Sequence, residues 1–281
     1  MNSKGLKNDR DTMSKSQLAV GVFDSGMGGL TVLRSLCEAL PHESFIYLGD
    51  TARLPYGTKS PATVQQYAVQ MARLLVERRI KALVIACNTA TTAALPHLQM
   101  MLPDLPVIGV VSPGTSAAVA ATKNHRIAVL ATETTIAAHT YQRLITAQLP
   151  NATIHARACS LLVALAEEGM VDNAIARATL EHYLIDMMEV DTVLLGCTHF
   201  PVFKPLLSHL LPQGVSIVDS AEATADALKQ CLVRDNLLNV SKSSHGSVHY
   251  LVTDSVKRFQ HVGEIFLGKP LSAANIELID I

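Results

Sequence analysis

Short apolar runs, each ending in a loop of small residues and followed by helical spacing, constrain this chain most. The first is Leu18-Ala-Val-Gly-Val-Phe23, which stops at Asp24-Ser25-Gly26-Met27-Gly28-Gly29. A helix is expected over 30–40, closed by Pro41. Further runs lie at 45–48, 82–86, 107–111, 127–131, 193–195, 215–218 and 248–252. Helical spacing fills 61–79 and 172–188, the latter with Asp172 as the expected N-cap. Runs of four to six aliphatic residues read as strands buried on both faces. Strands alternating with helices predict βαβ units and a parallel sheet. Such sheets bind ligands at the carboxyl ends of their strands, so the loops there carry the chemistry.

The pattern repeats. Leu83-Val-Ile-Ala-Cys87-Asn-Thr89 resembles Val193-Leu-Leu-Gly-Cys197-Thr-His199, about 110 residues on. The runs after Val107 and Ile217 match at a similar spacing, as do those ending at Asp24 and Thr132. A solenoid would repeat every ~20–50 residues. The longer period predicts two related α/β halves, and 281 residues suit about two domains. No Pro/Gly/Ser-rich linker separates them, so the halves are expected to pack closely.

Composition excludes several classes. Lys and Arg number 23 against 24 Asp and Glu, so no basic footprint for nucleic acid is expected. Trp is absent and aromatic residues are 4%, which argues against stacking platforms. No apolar run approaches the ~18 residues that span a bilayer. The polar N-terminus lacks the apolar stretch of a signal peptide. Five widely spaced Cys predict reduced thiols and a cytoplasmic protein.

The repeat puts one Cys at the end of each equivalent strand. A lone Cys there reads as an inert core thiol, as do Cys37, Cys159 and Cys231 in helical-looking stretches. Two at matching positions favour function. A free thiol near pKa 8.5 is only a few per cent ionised at neutral pH, and a helix N-terminus or nearby His can lower that value. Thiols on opposite sides of a ligand suit inversion of a stereocentre: one takes a proton from carbon, and the other delivers one to the opposite face. Disulfide exchange is a rival use, but there is no Cys-x-x-Cys.

Around the thiols, Asp24 could cap a helix or tune a thiol. The 24–29 loop is neither a phosphate loop nor a dinucleotide fingerprint, and its glycines could bring N–H groups to a carboxylate. The 49–59 loop reads as a rigid turn or as backbone donors for a carboxylate. Hydroxyls at 132–135 could bind an anion or cap the next helix. His199, two residues from Cys197, could polarise it. No His or Cys spacing fits a metal site.

Together Asp24-Ser25-Gly-x-Gly-Gly, Gly49-Asp-Thr-Ala-Arg53-x-Pro55-Tyr56-Gly57, Ala-Cys87-Asn88-Thr89-Ala-Thr and Leu-Gly-Cys197-Thr198-His199-Phe-Pro closely resemble the glutamate racemases. The resemblance covers most of the chain. It implies two pseudo-symmetric flavodoxin-like domains with mainly parallel sheets and the active site in the cleft between them. The domains would be 18–113 plus 222–281, and 114–221, after a flexible extension at 1–17. It implies cofactor-independent interconversion of L- and D-glutamate for peptidoglycan synthesis, with no pyridoxal phosphate and no metal. Cys87 would take the proton from the D-isomer and Cys197 from the L-isomer. Asp24 would assist the first thiol, and His199 with Glu167 the second. Glu168 stands as the alternative, because Ala158-Cys159-Ser160 and Ala164 depart from the family pattern. Asp24, Ser25, Pro55, Tyr56, Gly57, Asn88, Thr89, Thr132, Thr135 and Thr198 match substrate-contacting positions. Some relatives need a cell-wall precursor as activator, and the resemblance leaves that open here, as it does a homodimer. An aspartate racemase, a non-catalytic amino-acid sensor and a thiol redox protein are the rivals.

Overall fold

The computed structural model describes residues 14–187, 189–241 and 245–281. Of the extension expected at 1–17, residues 1–13 lie outside the described residues, and Lys15–Gln17 form one 3-10 turn. The first half of the chain runs β1 (Val20–Asp24), α1 (Leu30–Ala39), β2 (Phe45–Gly49), α2 (Pro61–Glu77), β3 (Ala82–Ile85), α3 (Asn88–Met101), β4 (Val107–Gly109) and α4 (Val111–Ala121). The second half runs β5 (Arg126–Ala131), α5 (Glu133–Ala137), α6 (Thr140–Gln148), β6 (Thr153–Ala158), α7 (Leu161–Glu167), α8 (Ala174–Tyr183), β7 (Thr192–Gly196), α9 (Lys204–Leu210) and β8 (Ser216–Asp219). The chain ends with α10 (Ala221–Arg234), β9 (Val248–Val252), α11 (Val256–Leu267) and β10 (Ile276–Leu278).

These strands make two parallel sheets. The first has the order β10-β9-β2-β1-β3-β4 and the second β6-β5-β7-β8. Without β9 and β10, the two orders are the same. The sequence matches fall on equivalent strands: β1 with β5, β3 with β7, β4 with β8. Central strands β1 and β7 are wholly buried, as continuous apolar runs require. Helix α4 carries the chain to the second sheet, and α10 packs back on α1 of the first.

Three sequence expectations need correction. The run over 107–111 is split: β4 stops at Gly109 and Val111 already begins α4. Asn173, not Asp172, caps α8, its side chain accepting from Ala176 N–H at 2.9 Å. The expected end of that helix, Met188, lies outside the described residues. Cys159 sits in the turn between β6 and α7 rather than inside a helix.

Candidate active site

The carboxyl ends of β1, β3, β5 and β7 face one another across a single small cavity. Both Cys87 and Cys197 line it, with Ser25, Pro55, Tyr56, Gly57, Asn88, Thr89, Thr132, Glu167, Thr198 and His199. Leu54 and Val163 complete the wall and were not expected. Asp24 and Thr135 are fully buried one step behind the lining. The cavity volume is about 20 Å³, room for about one water.

Cys87 follows β3 and is the N-cap of α3, its Sγ accepting from Ala90 N–H at 3.4 Å. Ser25 Oγ lies 3.5 Å from the same sulfur. A helix N-terminus alone lowers a thiol pKa, but here burial dominates and the Asp24 charge adds to it. Together they push Cys87 up to about 12. Cys87 is therefore a thiol, a proton donor, at neutral pH.

Cys197 follows β7 in the equivalent place and has a different neighbour. His199 Nδ1 lies 3.9 Å from its sulfur, and His199 Nε2 lies 3.0 Å from Glu167 Oε1. Burial pulls His199 down, but the bonds to Cys197 and Glu167 more than offset it and lift the imidazole to about 10. The protonated imidazole is thus placed with Nδ1 toward the Cys197 sulfur. Glu168, the alternative to Glu167, is exposed and pairs with Arg258 Nη2 at 3.1 Å.

The surrounding polar groups cross between the two halves. Thr89 shares hydrogen bonds with Thr132 at 2.9 Å and Thr135 at 3.3 Å. Thr132 opens α5 without capping it through its side chain, so its hydroxyl stays on the cavity. Tyr141 O–H donates to Asn88 Oδ1 at 2.6 Å, while Asn88 Nδ2 has no partner among the described residues. A buried unpaired donor on a cavity wall is a ready partner for an anionic ligand. Asp24 does not cap α1: Oδ2 accepts from Gly26 N–H at 3.0 Å, and Thr198 Oγ1 donates to Oδ1 at 3.4 Å. Burial raises Asp24 above the usual carboxylate range, against the pull of His199 and of backbone N–H groups.

The glycines of the first loop, expected to bring N–H groups to a carboxylate, are closely packed by side chains. None lines the cavity. A Cβ on Gly28 would stand 2.3 Å from His199 Nδ1, and one on Gly29 2.5 Å from Asp24 Cβ. Asp50 was also missed. It is fully buried, accepts from Arg53 Nε at 2.6 Å and from Tyr56 O–H, and so fixes the loop that carries Pro55-Tyr56-Gly57. Its signal was present, as a carboxylate three residues before an Arg in a loop after a strand.

Among the described residues no His, Cys, Asp and Glu cluster could hold a metal ion, and no helix is long and apolar enough to cross a membrane. All five cysteines are free thiols.

A model of the Asp/Glu/Hydantoin racemase family matches residues 21–228. A glutamate racemase from Geobacter metallireducens is 47% identical over 255 residues, 90% of this chain and 94% of that protein. The crystal structure of a glutamate racemase from Bacillus anthracis superposes with a TM-score of 0.88 at 35% identity, covering 95% and 98% of the two chains. One from Francisella tularensis, in complex with D-glutamate, gives 0.86 at 34% identity, covering 94% and 98%. The Escherichia coli enzyme, in complex with L-glutamate and the activator UDP-MurNAc-ala, gives 0.74 at 31% identity, covering 89% and 95%. These relatives, matched over nearly the whole chain, make the protein an isomerase. The chain belongs to the Asp/Glu/Hydantoin racemase family, on its glutamate racemase branch.

Proposed function

We propose that the chain interconverts L- and D-glutamate by direct proton transfer between Cys87 and Cys197. The observation that carries this is the presence of both thiols, from equivalent strand ends of two like sheets, on one cavity. Their environments differ in the way the reaction needs. The Cys197 thiolate, beside the His199 imidazolium, takes the α-proton of L-glutamate. The Cys87 thiol gives its proton to the opposite face of the same carbon, and D-glutamate results. Cys87 is left as thiolate and Cys197 as thiol, which is the state that accepts D-glutamate in reverse.

The α-proton is a weak acid, so the developing charge must be stabilised in place. Asn88 Nδ2 and the hydroxyls of Ser25, Thr89, Thr132 and Thr198 are the side-chain donors on the cavity. Pro55, Tyr56 and Gly57 line the same cavity, while Thr135 and Asp24 support the groups in front of them. A dicarboxylate is several times larger than the water-sized cavity. The halves must therefore part to admit it and close to exclude water, which suits proton transfer.

Cofactor independence belongs to the same reading. So do a cytoplasmic location, a supply of D-glutamate to peptidoglycan and the division into 18–113 with 222–281 against 114–221. The membership of the strands in the two sheets supports that division.

The test uses purified protein, L-glutamate and D₂O, without pyridoxal phosphate. NMR follows loss of the α-proton and polarimetry follows loss of rotation. Both are expected to decline together. If neither changes, with or without UDP-MurNAc-ala, and L-aspartate is equally inert, the racemase reading fails.

A further inference from the structure

Helix α11 belongs to the first sheet, yet it reaches the pair that supports the thiol of the second. Phe266 of α11 packs edge-on against the His199 ring, with centroids 5.1 Å apart. Arg258, also on α11, has Nη2 3.8 Å from Glu167 Oε2 and 3.1 Å from Glu168 Oε1. Glu167 thus presents one oxygen to His199 and the other to Arg258.

Two-sided contact has a physical consequence. The terminal torsion of a glutamate is broad and nearly two-fold, so one partner leaves the carboxylate free to turn. A positive charge 3.8 Å from the other oxygen, too far for a hydrogen bond, favours one orientation of the carboxylate by electrostatic attraction. Arg258 is itself held from below. Ser255 Oγ accepts from Arg258 N–H at 3.3 Å and caps α11. Thr51 and Asp254 exchange hydrogen bonds, N–H to Oγ1 at 2.8 Å and Oγ1–H to O at 3.0 Å. Thr253 Oγ1 donates to Asp50, which holds Tyr56 on the cavity wall. The start of α11 is therefore tied by hydrogen bonds to the loop that carries Tyr56.

We propose that Arg258 is a positioning residue for the reaction, holding the Glu167 carboxylate against His199 from the opposite side of the cleft. The pair beside Cys197 is then complete only when the two halves are together. This rests on the reading that His199 and Glu167 serve Cys197.

The test is a double-mutant cycle on the full chain, with kcat, KM and the melting temperature measured for each variant. Arg258→Met is expected to lower kcat about three- to fivefold, the scale of a partly exposed ion pair, and to leave KM within about twofold. Arg258→Lys is expected to recover most of the loss, and it keeps the test valid if the Met variant folds poorly. In a Glu167→Gln background, Arg258→Met is expected to add nothing. In a Glu168→Gln background, its effect is expected to persist. The ¹⁵N resonance of His199 Nε2 is expected to move in Arg258→Met and to stay in place in Arg258→Lys, which separates loss of the charge from a disturbance of α11. Equal losses from Arg258→Met with and without Glu167 would overturn this proposal alone. A Glu167→Gln variant as active as the parent would overturn both this proposal and the role given to the pair.

Discussion

Tyr141 O–H donates to Asn88 Oδ1 at 2.6 Å, a bond between α6 of one half and α3 of the other. It decides which end of the Asn88 amide faces the cavity. With the oxygen committed, Nδ2 is left as the donor, and it has no partner among the described residues. Tyr141→Phe removes the lock and leaves Oδ1 unsatisfied, at a cost of about 1–3 kcal/mol. The expected result is a rise in KM for glutamate of about three- to tenfold, with a lower melting temperature. Asn88→Ala removes the donor itself and is expected to raise KM further. An unchanged KM in both variants would remove Asn88 from the binding wall.

His199 gives the reaction an alkaline limit. Its folded value, about 10, stands above its ordinary 6.5 because the bonds to Cys197 and Glu167 outweigh burial. The stability it lends is complete below about pH 6.5 and is lost as pH rises through about 10. Cys87, near 12, loses its proton later than His199 does. The alkaline limb of kcat/KM is therefore expected near pH 10, where the imidazole and the amino group of free glutamate both titrate, and the part that moves in an enzyme variant belongs to the imidazole. Glu167→Gln withdraws one support, and the limb is expected to move down by about one unit. A limb at the same pH in this variant would show that Glu167 does not hold the His199 proton.

The parts of the fold that could be read from the chain were those with unbroken apolar runs. Every central strand has one, since burial on both faces demands it. Strand β6, Thr-Ile-His-Ala-Arg-Ala, was missed because it is a sheet edge, half exposed, with His155 and Arg157 breaking the run. Strand β10 was missed for the same reason and spans only three residues. In the site, the thiols were legible because the repeat marks them twice. Tyr141 and Arg258 were not, because each acts on a residue far along the chain and neither belongs to a local motif. The loop glycines were legible as special positions, but the packing beside them was not, since His199 fills the space beside Gly28 only after folding.

That packing gives a sharp contrast between two glycines of one loop. A Cβ on Gly28 would lie 2.3 Å from His199 Nδ1 and 2.7 Å from Thr198 Oγ1, in a wall with little freedom to yield. A Cβ on Gly26 would meet first the far end of Leu54, at 3.2 Å. Gly28→Ala is expected to displace His199 and lower kcat at least about tenfold, with overpacking that destabilises by about 1–3 kcal/mol. Gly26→Ala is expected to stay within about threefold of the parent. Thermal melts and steady-state kinetics on the pair check this. Equal tolerance at both positions would mean that His199 can shift without cost.

The two thiols differ in what each can do alone, and that separates a two-base reaction from a one-base reaction. In Cys87→Ala, Cys197 still has His199 beside it and can remove the α-proton of L-glutamate. No acid remains on the far face, so the proton returns to the face it left. In D₂O, L-glutamate is expected to gain deuterium without forming D-glutamate. Cys197→Ala leaves only Cys87, which burial and Asp24 keep protonated at neutral pH, so exchange into D-glutamate is expected to be slower and to rise with pH. In both variants racemisation is expected to fall at least about a hundredfold, the scale of one lost acid–base group. Chiral chromatography with mass detection reads exchange and inversion in the same sample. Racemisation at the parent rate in either variant would refute the two-base assignment. Exchange of both enantiomers by a single variant would mean that one thiol reaches both faces of the carbon, which the two-base assignment does not allow.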